Sequence, residues 1–523
     1  MGDKRKAKEI IKSIKKTKKR VAGKLDKKIE KNQHLFSILI PIFAGLLFFI
    51  FSIINLTSSV SFEESYAKYV TQGNFGDIFN VTAVDARSPL FYFILKMWSS
   101  IFGNSDIALR FMSVFFGLVT IVFVFQLVKK WFGIKVASMV TVLVAISPML
   151  IRFGQEIGFY TLLLLALVVS TYMLSLAVEK GADKKGRKFW IFYAIFMVFS
   201  LWLNYLAVLV LIPQMIYIIL HFGGFKKIFK NKKLFKTFVI TFASIIVLFI
   251  PWIIIMAFKA GTVVRDGEIV SLGKFFDFVF SALFYNNGAD VTGWGVIFGL
   301  WFIVSMIFAI VDVYKKTTVK NKEKFQFILF MVVAPLLLLT FFSLPPFHGI
   351  FEVRNLLYGA VALWALFGIT FSLMKDSFFK NLLMVLMLIV AGMGIVNVEH
   401  RKTDGHISEI LAETFIAAEE GEPILIQGAK TFYDGVFYTS EKHPIYLLND
   451  EMYLDDSSAE AIKYYKMNLI EDKDAFLKEH ESVWYIIETP ANGAKYDIPE
   501  WAEKYRIVSE ISLDYHTALE FTK

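Results

Sequence analysis

The chain of 523 residues is 56% apolar, has no cysteine and carries a formal charge of +10, with a mean hydropathy of +0.56. This composition excludes disordered, collagen-like and small disulfide-scaffold classes, and the lack of cysteine excludes disulfides, thiolate metal sites and cysteine nucleophiles. Residues 1–32 hold 14 Lys/Arg and 4 Asp/Glu, so all the excess charge sits in one tail and the rest of the chain is neutral, which is not the pattern of a nucleic-acid-binding protein.

In the tail, Ile10, Ile11, Ile14, Val21 and Leu25 recur at roughly helical spacing among lysines. This does not read as a cleaved signal but as a basic amphipathic helix, residues 1–33, on a surface of anionic membrane lipids. Apolar runs near twenty residues, each enough to cross about 30 Å of hydrocarbon, follow at 35–55, 107–128, 134–150, 157–178, 189–203, 205–221, 237–257, 293–314, 325–343, 356–374 and 379–397. The expected fold class is an α-helical polytopic membrane protein of about eleven transmembrane helices over 34–397. With the basic tail placed inside, lysines and arginines crowd every alternate connection, as cytoplasmic loops require. That puts the N-terminus in the cytoplasm. Loops 56–106, 151–156, 258–292 and 344–355 then lie outside, together with everything after residue 398. Within 398–523, GEPILIQG, FYTSEKHPIYLL, SVWYIIET and YRIVSEISLDYHTALEFTK read as strands. Helical stretches near 406–419, 457–468 and 472–480 alternate with them, giving a small extracytoplasmic α/β domain.

The acidic residues gather in the outer loops. Glu63 and Glu64 follow the first span, and a carboxylate pair beside hydrocarbon is costly enough to suggest a task, as general base or metal ligand. Asp85, Arg87, Ser88 and Pro89 precede a short apolar stretch with Tyr92, Lys96 and Trp98, which reads as an interfacial helix. Arg110, just inside the second span, is positioned to snorkel to the interface or to pair with a loop acid. Gln155, Glu156, Arg152 and Tyr160 share the next outer turn. His348, Glu352 and Arg354 precede the tenth span, where a guanidinium suits a phosphate by contacting two of its oxygens.

The order of these pieces resembles a family. An acidic pair follows the first span, then an Asp-x-x-Ser-Pro-Leu loop, an FG…ALR…S…FG start to the second span, SP…QE…Y, and a late loop ending in Arg. This is similar to the membrane glycosyltransferases of the C-type fold, family 39-like, the group of protein O-mannosyltransferases and aminoarabinose transferases. The resemblance covers residues 35–360. It implies that a sugar moves, with inversion, from a polyprenyl-phosphate donor to a lipid, protein or cell-wall glycan acceptor at the outer face of the plasma membrane. It also implies Glu63 and Asp85 as catalytic residues, with Glu64, Arg87, Gln155, Glu156, Tyr160 and Arg354 binding substrate; His348, from its place in the late outer loop, is a further candidate for substrate binding. Glu63-Glu64 stands where the family has Asp-Glu, Gly158 where it has Arg, and Arg354-Asn355 where it has Arg-Tyr. The leaving phosphate would be stabilised by Arg354 or by a divalent cation, Mg or Mn, on Glu64, Asp85 and Glu156. The competing class, a transporter or lipid flippase, would place ionisable residues deep within spans and pair broken helices near the midplane. The spans here carry few charges.

Overall fold

The computed structural model describes residues 32–84, 87–259, 280–283, 293–342, 353–375, 377–399, 407–449, 459–489, 498–513 and 516–523. The basic tail, Asp85, His348 and Glu352 lie outside the described residues. The chain is a mostly helical polytopic membrane protein with a C-terminal mixed sheet. Its helices begin with α1 (Gln33–Ile53), α2 (Phe62–Val70), α3 (Phe75–Val84), α4 (Leu90–Phe102), α5 (Asp106–Phe132), α6 (Ile134–Ala145), α7 (Pro148–Gly154), α8 (Tyr160–Lys180) and α9 (Lys184–Leu203). A 3-10 turn (Tyr205–Ala207) leads to α10 (Val208–His221), then α11 (Phe225–Lys230), α12 (Lys232–Lys259), α13 (Gly293–Lys316) and α14 (Val319–Phe342). A second 3-10 turn (Val353–Leu356) opens α15 (Leu357–Leu373), and α16 (Ser377–Glu399) follows.

All eleven apolar runs read from the sequence fall on helix, but the expectation of about eleven full spans is reduced. Among the described residues eight helices are long and apolar enough to cross a membrane, and the pair α6–α7, bent by 57°, would make a ninth. The bend corrects the expected single span 134–150. Pro148 supplies no N–H to the helix and forces the residue before it out of helical geometry, and Ser147 is extended at ψ 120°. The run 205–221 falls among the shorter apolar helices, and α13 is a helix of 24 residues.

Along α1, Leu35, Leu39, Ile42, Phe43, Leu46 and Ile50 are exposed, whereas Ala44, Gly45, Phe48 and Ser52 are buried. The first set is the face that lipid would cover. On the other face the Phe48 ring sits between two glycines, where a Cβ on Gly117 of α5 would lie 2.5 Å from it and one on Gly154 of α7 2.7 Å. Small residues at such contacts let membrane helices close on one another, and this one fixes α7 against α1 and α5.

The C-terminal region adds α17 (Ile407–Ala417), α18 (Ala429–Val436), α19 (Glu460–Tyr465) and α20 (Lys473–Glu479). Its strands are β1 (Ile424–Ile426), β2 (Ile445–Leu448), β3 (Leu469–Ile470), β4 (Ser482–Glu488), β5 (Arg506–Ser512) and β6 (His516–Thr522), in the spatial order β3-β2-β1-β4-β6-β5. The first four pair in parallel and the last two are antiparallel additions. Helix α18 rests on α2. Tyr433 lies with its ring centroid 5.6, 5.4 and 5.1 Å from those of Phe62, Tyr66 and Tyr69. Ser65 donates to Asp434, Lys68 donates to the Phe437 carbonyl at 3.0 Å, and Tyr465 donates to the Val70 carbonyl at 2.9 Å. The short helix that bears both candidate glutamates is thus gripped by the C-terminal region on one side and by the helical bundle on the other.

Candidate active site

Helix α2 starts at Ser61 with Glu64 three residues on, the S-x-x-E signature of a capping box, and the Glu64 carboxylate accepts the Ser61 backbone N–H at 3.0 Å. Neighbouring residues on a helix are rotated by about 100°, so the paired glutamates serve different surroundings. Glu64 turns inward and is 2% exposed. Arg110, 0% exposed, donates to it from Nε at 2.7 Å and from its terminal nitrogen at 2.9 Å. The same guanidinium donates to the carbonyls of Leu56, Ser58 and Ser59 at 2.9, 2.7 and 3.1 Å. Glu64 also accepts the backbone N–H of Ile157 at 3.0 Å. Burial raises its pKa, but Arg110 and the Ile157 and Ser61 donors outweigh that and hold the carboxyl below its ordinary value.

This geometry corrects the expectation that Glu64 binds substrate or metal. Both oxygens are occupied by donors, and the carboxylate joins three segments: the loop after α1, helix α5 and the turn after α7. Arg110 does not snorkel; it pairs with a loop acid.

Glu63 faces a cavity of about 270 Å³ lined also by Arg87, Ser88, Tyr92, Glu156, Tyr160, Asn204, Tyr205, Arg354 and Asn355. Two arginines converge on this one carboxylate. Arg87 donates to one oxygen at 2.7 Å and Arg354 lies 3.3 Å from the other. Burial raises the Glu63 pKa; Arg87 and then Arg354 more than reverse this, so the group stays ionised through the neutral range. Arg87 also stacks over the Tyr66 ring, 4.3 Å from its centroid, which fixes the direction of its fork. Ser88 donates to the carbonyl of Trp202 and so holds the Arg87 loop against α9.

The bent pair α6–α7 brings the next outer turn back to the same place. Arg152 and Glu156 form an ion pair at 2.5 Å, and Glu156 and Tyr160 line the cavity. A Cβ on Gly158 would lie 2.7 Å from the Tyr160 ring, so a larger residue there would have to displace that ring. The structure thus brings Glu63, Arg87, Glu156, Tyr160 and Arg354 together. It turns Gln155 away, which corrects its expected substrate contact: Gln155 is 0% exposed and donates to the Phe51 carbonyl at 2.9 Å and to Glu399 at 3.3 Å. Sequence reasoning missed Asn204 and Tyr205 as lining residues. Asn204 breaks the helix between α9 and α10, extended at φ −157° and capping Leu206 at 2.8 Å; a polar residue at a break inside an apolar run was the available signal.

Of the three carboxylates expected to hold a divalent cation, the structure describes two. Glu64 and Glu156, two of the three expected ligands, are each held by an arginine, and the third, Asp85, lies outside the described residues. Among those residues no group of three His, Asp or Glu side chains is placed to hold a metal.

Beyond Tyr160, Arg354 and Asn355 the cavity continues into a narrow cleft with Leu163, Leu164, Leu206 and Tyr358. Leu164 and Tyr358 also line an apolar groove with Leu127, Trp131, Phe327 and Met331, between α5, α8, α14 and α15. The charged cavity thus neighbours, across this narrow cleft, an apolar groove within the bundle.

Residues 86–255 match the protein family described as dolichyl-phosphate-mannose-protein mannosyltransferase. No curated protein sequence matches the chain. Among solved structures, ArnT from Cupriavidus metallidurans in the apo state matches at 12% identity with a TM-score of 0.57, over 92% of this chain and 97% of that one. ArnT from the same organism bound to undecaprenyl phosphate matches at 11% identity and a TM-score of 0.59, with the same coverage. The chain has the C-type membrane glycosyltransferase fold. The resemblance read from the outer-loop motifs is borne out, and the transporter or flippase reading gives way to this fold.

The adjacent glutamates should behave oppositely on substitution. Glu64→Gln leaves Arg110 charged and buried without its counter-ion, a loss of about 3–5 kcal/mol. A clear fall in the thermal unfolding midpoint of the purified protein is expected. Glu63→Gln, at a half-buried position, should leave that midpoint nearly unchanged. An unaltered midpoint for Glu64→Gln would contradict the structural role given to the pair.

Proposed function

We propose that this glycosyltransferase moves a sugar from a polyprenyl-phosphate donor to an acceptor hydroxyl, with inversion, in the cavity around Glu63. The observation that carries the reading is the convergence of Arg87 and Arg354 on Glu63 in a cavity that neighbours an apolar groove. A polyprenyl-phosphate sugar has this same sequence of parts: a long hydrocarbon, a phosphate, then a sugar. The groove suits the hydrocarbon and the arginines suit the phosphate, because a guanidinium contacts two oxygens of a phosphate at once. The similar ArnT structure that is bound to undecaprenyl phosphate supports a donor of this class.

The arginines have a carboxylate where a phosphate would come to rest. When the donor phosphate draws them, Glu63 loses the two charges that lower its pKa and becomes a stronger base. The acceptor oxygen then attacks the anomeric carbon while its proton passes to Glu63. The bond from that carbon to the phosphate oxygen breaks, and the growing charge on the departing polyprenyl phosphate falls on Arg87 and Arg354. One displacement inverts the anomeric configuration. Glu156 and Tyr160, which line the same cavity, would orient the sugar ring. Asp85, the other residue to which the resemblance gives a catalytic part, would act from the loop that carries Arg87.

Glu63→Gln is expected to abolish transfer while leaving undecaprenyl phosphate binding intact. Arg354→Lys should raise the KM for the donor, because a point charge replaces a two-pronged contact, and Arg354→Ala should also lower kcat. Initial rates against donor concentration in detergent–lipid micelles, with acceptor saturating, test both; unchanged curves would remove Arg354 from the phosphate site.

The alternation of Lys/Arg in the loops supports a cytoplasmic N-terminus and an extracytoplasmic C-terminal region in the plasma membrane. A reporter active only in the cytoplasm, fused after Lys523, should be silent. An active fusion would reverse the orientation.

A further inference from the structure

A cavity of about 620 Å³ lies between α2, α4 and the loops that follow them, and it shares no lining residue with the Glu63 cavity. Lys68 and Lys96 are the charged groups among the described residues that line it; Gln72, Ser99, Ser100 and Asn104 supply the other polar groups. Lys68 gives one N–H to the Phe437 carbonyl at 3.0 Å and lies 3.8 Å from the centroid of that ring. Lys96 gives one N–H to the Thr71 carbonyl at 3.1 Å. An ammonium carries three donors, so each lysine has two more to offer. Burial lowers the Lys68 pKa, and Asp106 offsets this only in part.

The faces of α4 set the depth of this cavity in the membrane. Phe91, Tyr92 and Leu95 are buried in the protein. Lys96, Ser99 and Ser100, spaced three and four residues apart, share the face that lines the cavity. Met97 and Ile101, again four apart, form the next face, where Ile101 is 72% exposed; Phe102 beside it is exposed as well. Trp98 donates to the Ala108 carbonyl at 2.8 Å and so ties α4 to α5. Helix α5 is long and apolar enough to cross a membrane, and Ile107, Phe111 and Phe115 on it are exposed. The cavity thus sits at the end of a span, with exposed apolar side chains beside it. That is the depth of phospholipid headgroups, where tryptophan is also frequent.

We infer that this cavity binds an anionic glycerophospholipid with a hydroxylated headgroup, of the phosphatidylglycerol type, whose acyl chains lie along Met97, Ile101 and Phe102. Its volume falls within the range of roughly 300–1,000 Å³ usual for small-molecule sites. The charges are complementary: two ammoniums against the Asp106 carboxylate leave one positive charge for one phosphodiester, and basic pockets of this kind hold anionic headgroups. A choline or ethanolamine headgroup would bring a further cation up to the lysines. Ser99 and Ser100 give their hydroxyl protons to the carbonyls of Lys96 and Met97 at 2.9 and 2.8 Å. Their oxygens are left as acceptors, which match the hydroxyl donors of a glycerol headgroup. Lys68 stands on the helix that carries Glu63, so a phosphate held by both lysines ties that helix to the interfacial α4.

The chain has no cysteine, so one introduced cysteine is a unique labelling position. The full chain carrying Ile101→Cys is labelled with bimane and reconstituted into phosphatidylcholine vesicles. Quenching is followed as phosphatidylglycerol brominated on its acyl chains is added, and compared with brominated phosphatidylcholine and phosphatidylethanolamine. Phosphatidylglycerol is expected to quench at least twofold more strongly than either at equal mole fraction. The same label on Ile246→Cys, exposed in the middle of α12, should show no such preference. Lys96→Met, which leaves Lys68 and Asp106 in balance, should abolish the preference, and Lys96→Arg should keep it. Lys68→Met should abolish it too, and decides the matter if Lys96→Met fails to reconstitute. Equal quenching by the three lipids at Ile101→Cys, an equal preference at Ile246→Cys, or a preference that survives the methionine substitutions would overturn the assignment. Loss of the preference on adding inorganic phosphate would also overturn it, because the cavity would then take a free anion.

Discussion

The buried ion pair between Glu64 and Arg110 is the constraint on which the site depends. Charges taken out of water at this depth are tolerated only when paired and fully hydrogen-bonded, and this pair meets the demand by drawing on several segments. Arg110 gathers the carbonyls of Leu56, Ser58 and Ser59, and Glu64 takes the N–H groups of Ser61 and Ile157. The loop after α1, helix α2, helix α5 and the turn before α8 cannot shift independently while these bonds hold. That rigidity sets the direction of Glu63, one residue back on the same helix, and the depth of Glu156, one residue before Ile157.

The second layer of the design is electrostatic and open to exchange. The Glu63–Arg87 and Glu63–Arg354 contacts are partly exposed, unlike the sealed pair behind them, so their partners are free to change. A carboxylate that occupies two guanidiniums in the resting protein keeps them apart and oriented, and is itself a poor base while it does so. On the proposed reading, a phosphate that took them would assemble the anion site and release Glu63 as a base in one event. The C-terminal region contributes in the same direction: α18 presses on α2 through Tyr433, Ser65 and Lys68, so Glu63 sits on a helix supported from both sides.

Much of this was legible in the sequence, and the parts that were not share a physical cause. Apolar runs report burial in lipid or protein, and all eleven became helix. Ser147-Pro148 was visible, yet a run of hydropathy does not show that the chain turns there by 57°. The pair Glu63-Glu64 stood out, but which glutamate faces the cavity is decided by a partner 46 residues away in the chain, Arg110. Gln155 and Glu156 were read as one motif, whereas the turn after α7 sends them to opposite sides. Of the strands, β1, β2, β4, β5 and β6 fall in the apolar alternations read for them. The two-residue β3 was too short to signal itself, and α18 was missed because its apolar face, Phe432, Tyr433 and Val436, is satisfied by α2 and the sheet rather than by a repeating pattern of its own.

The exchange of partners at Glu63 is tested most directly by the acid side of the pH–rate profile. The donor is a phosphodiester and stays ionised across the range, so the limb belongs to the protein. The limb of kcat/KM for the donor reports the free protein, and that of kcat reports the complex. In the free protein Arg87 and Arg354 hold the Glu63 pKa below its ordinary value of 4.5, so activity measured as kcat/KM should persist as pH falls to that value and be lost only beneath it. In the complex the arginines belong to the phosphate, burial remains, and the limb of kcat should move to higher pH. Coincident limbs, or a kcat limb at lower pH than that of kcat/KM, would contradict the account.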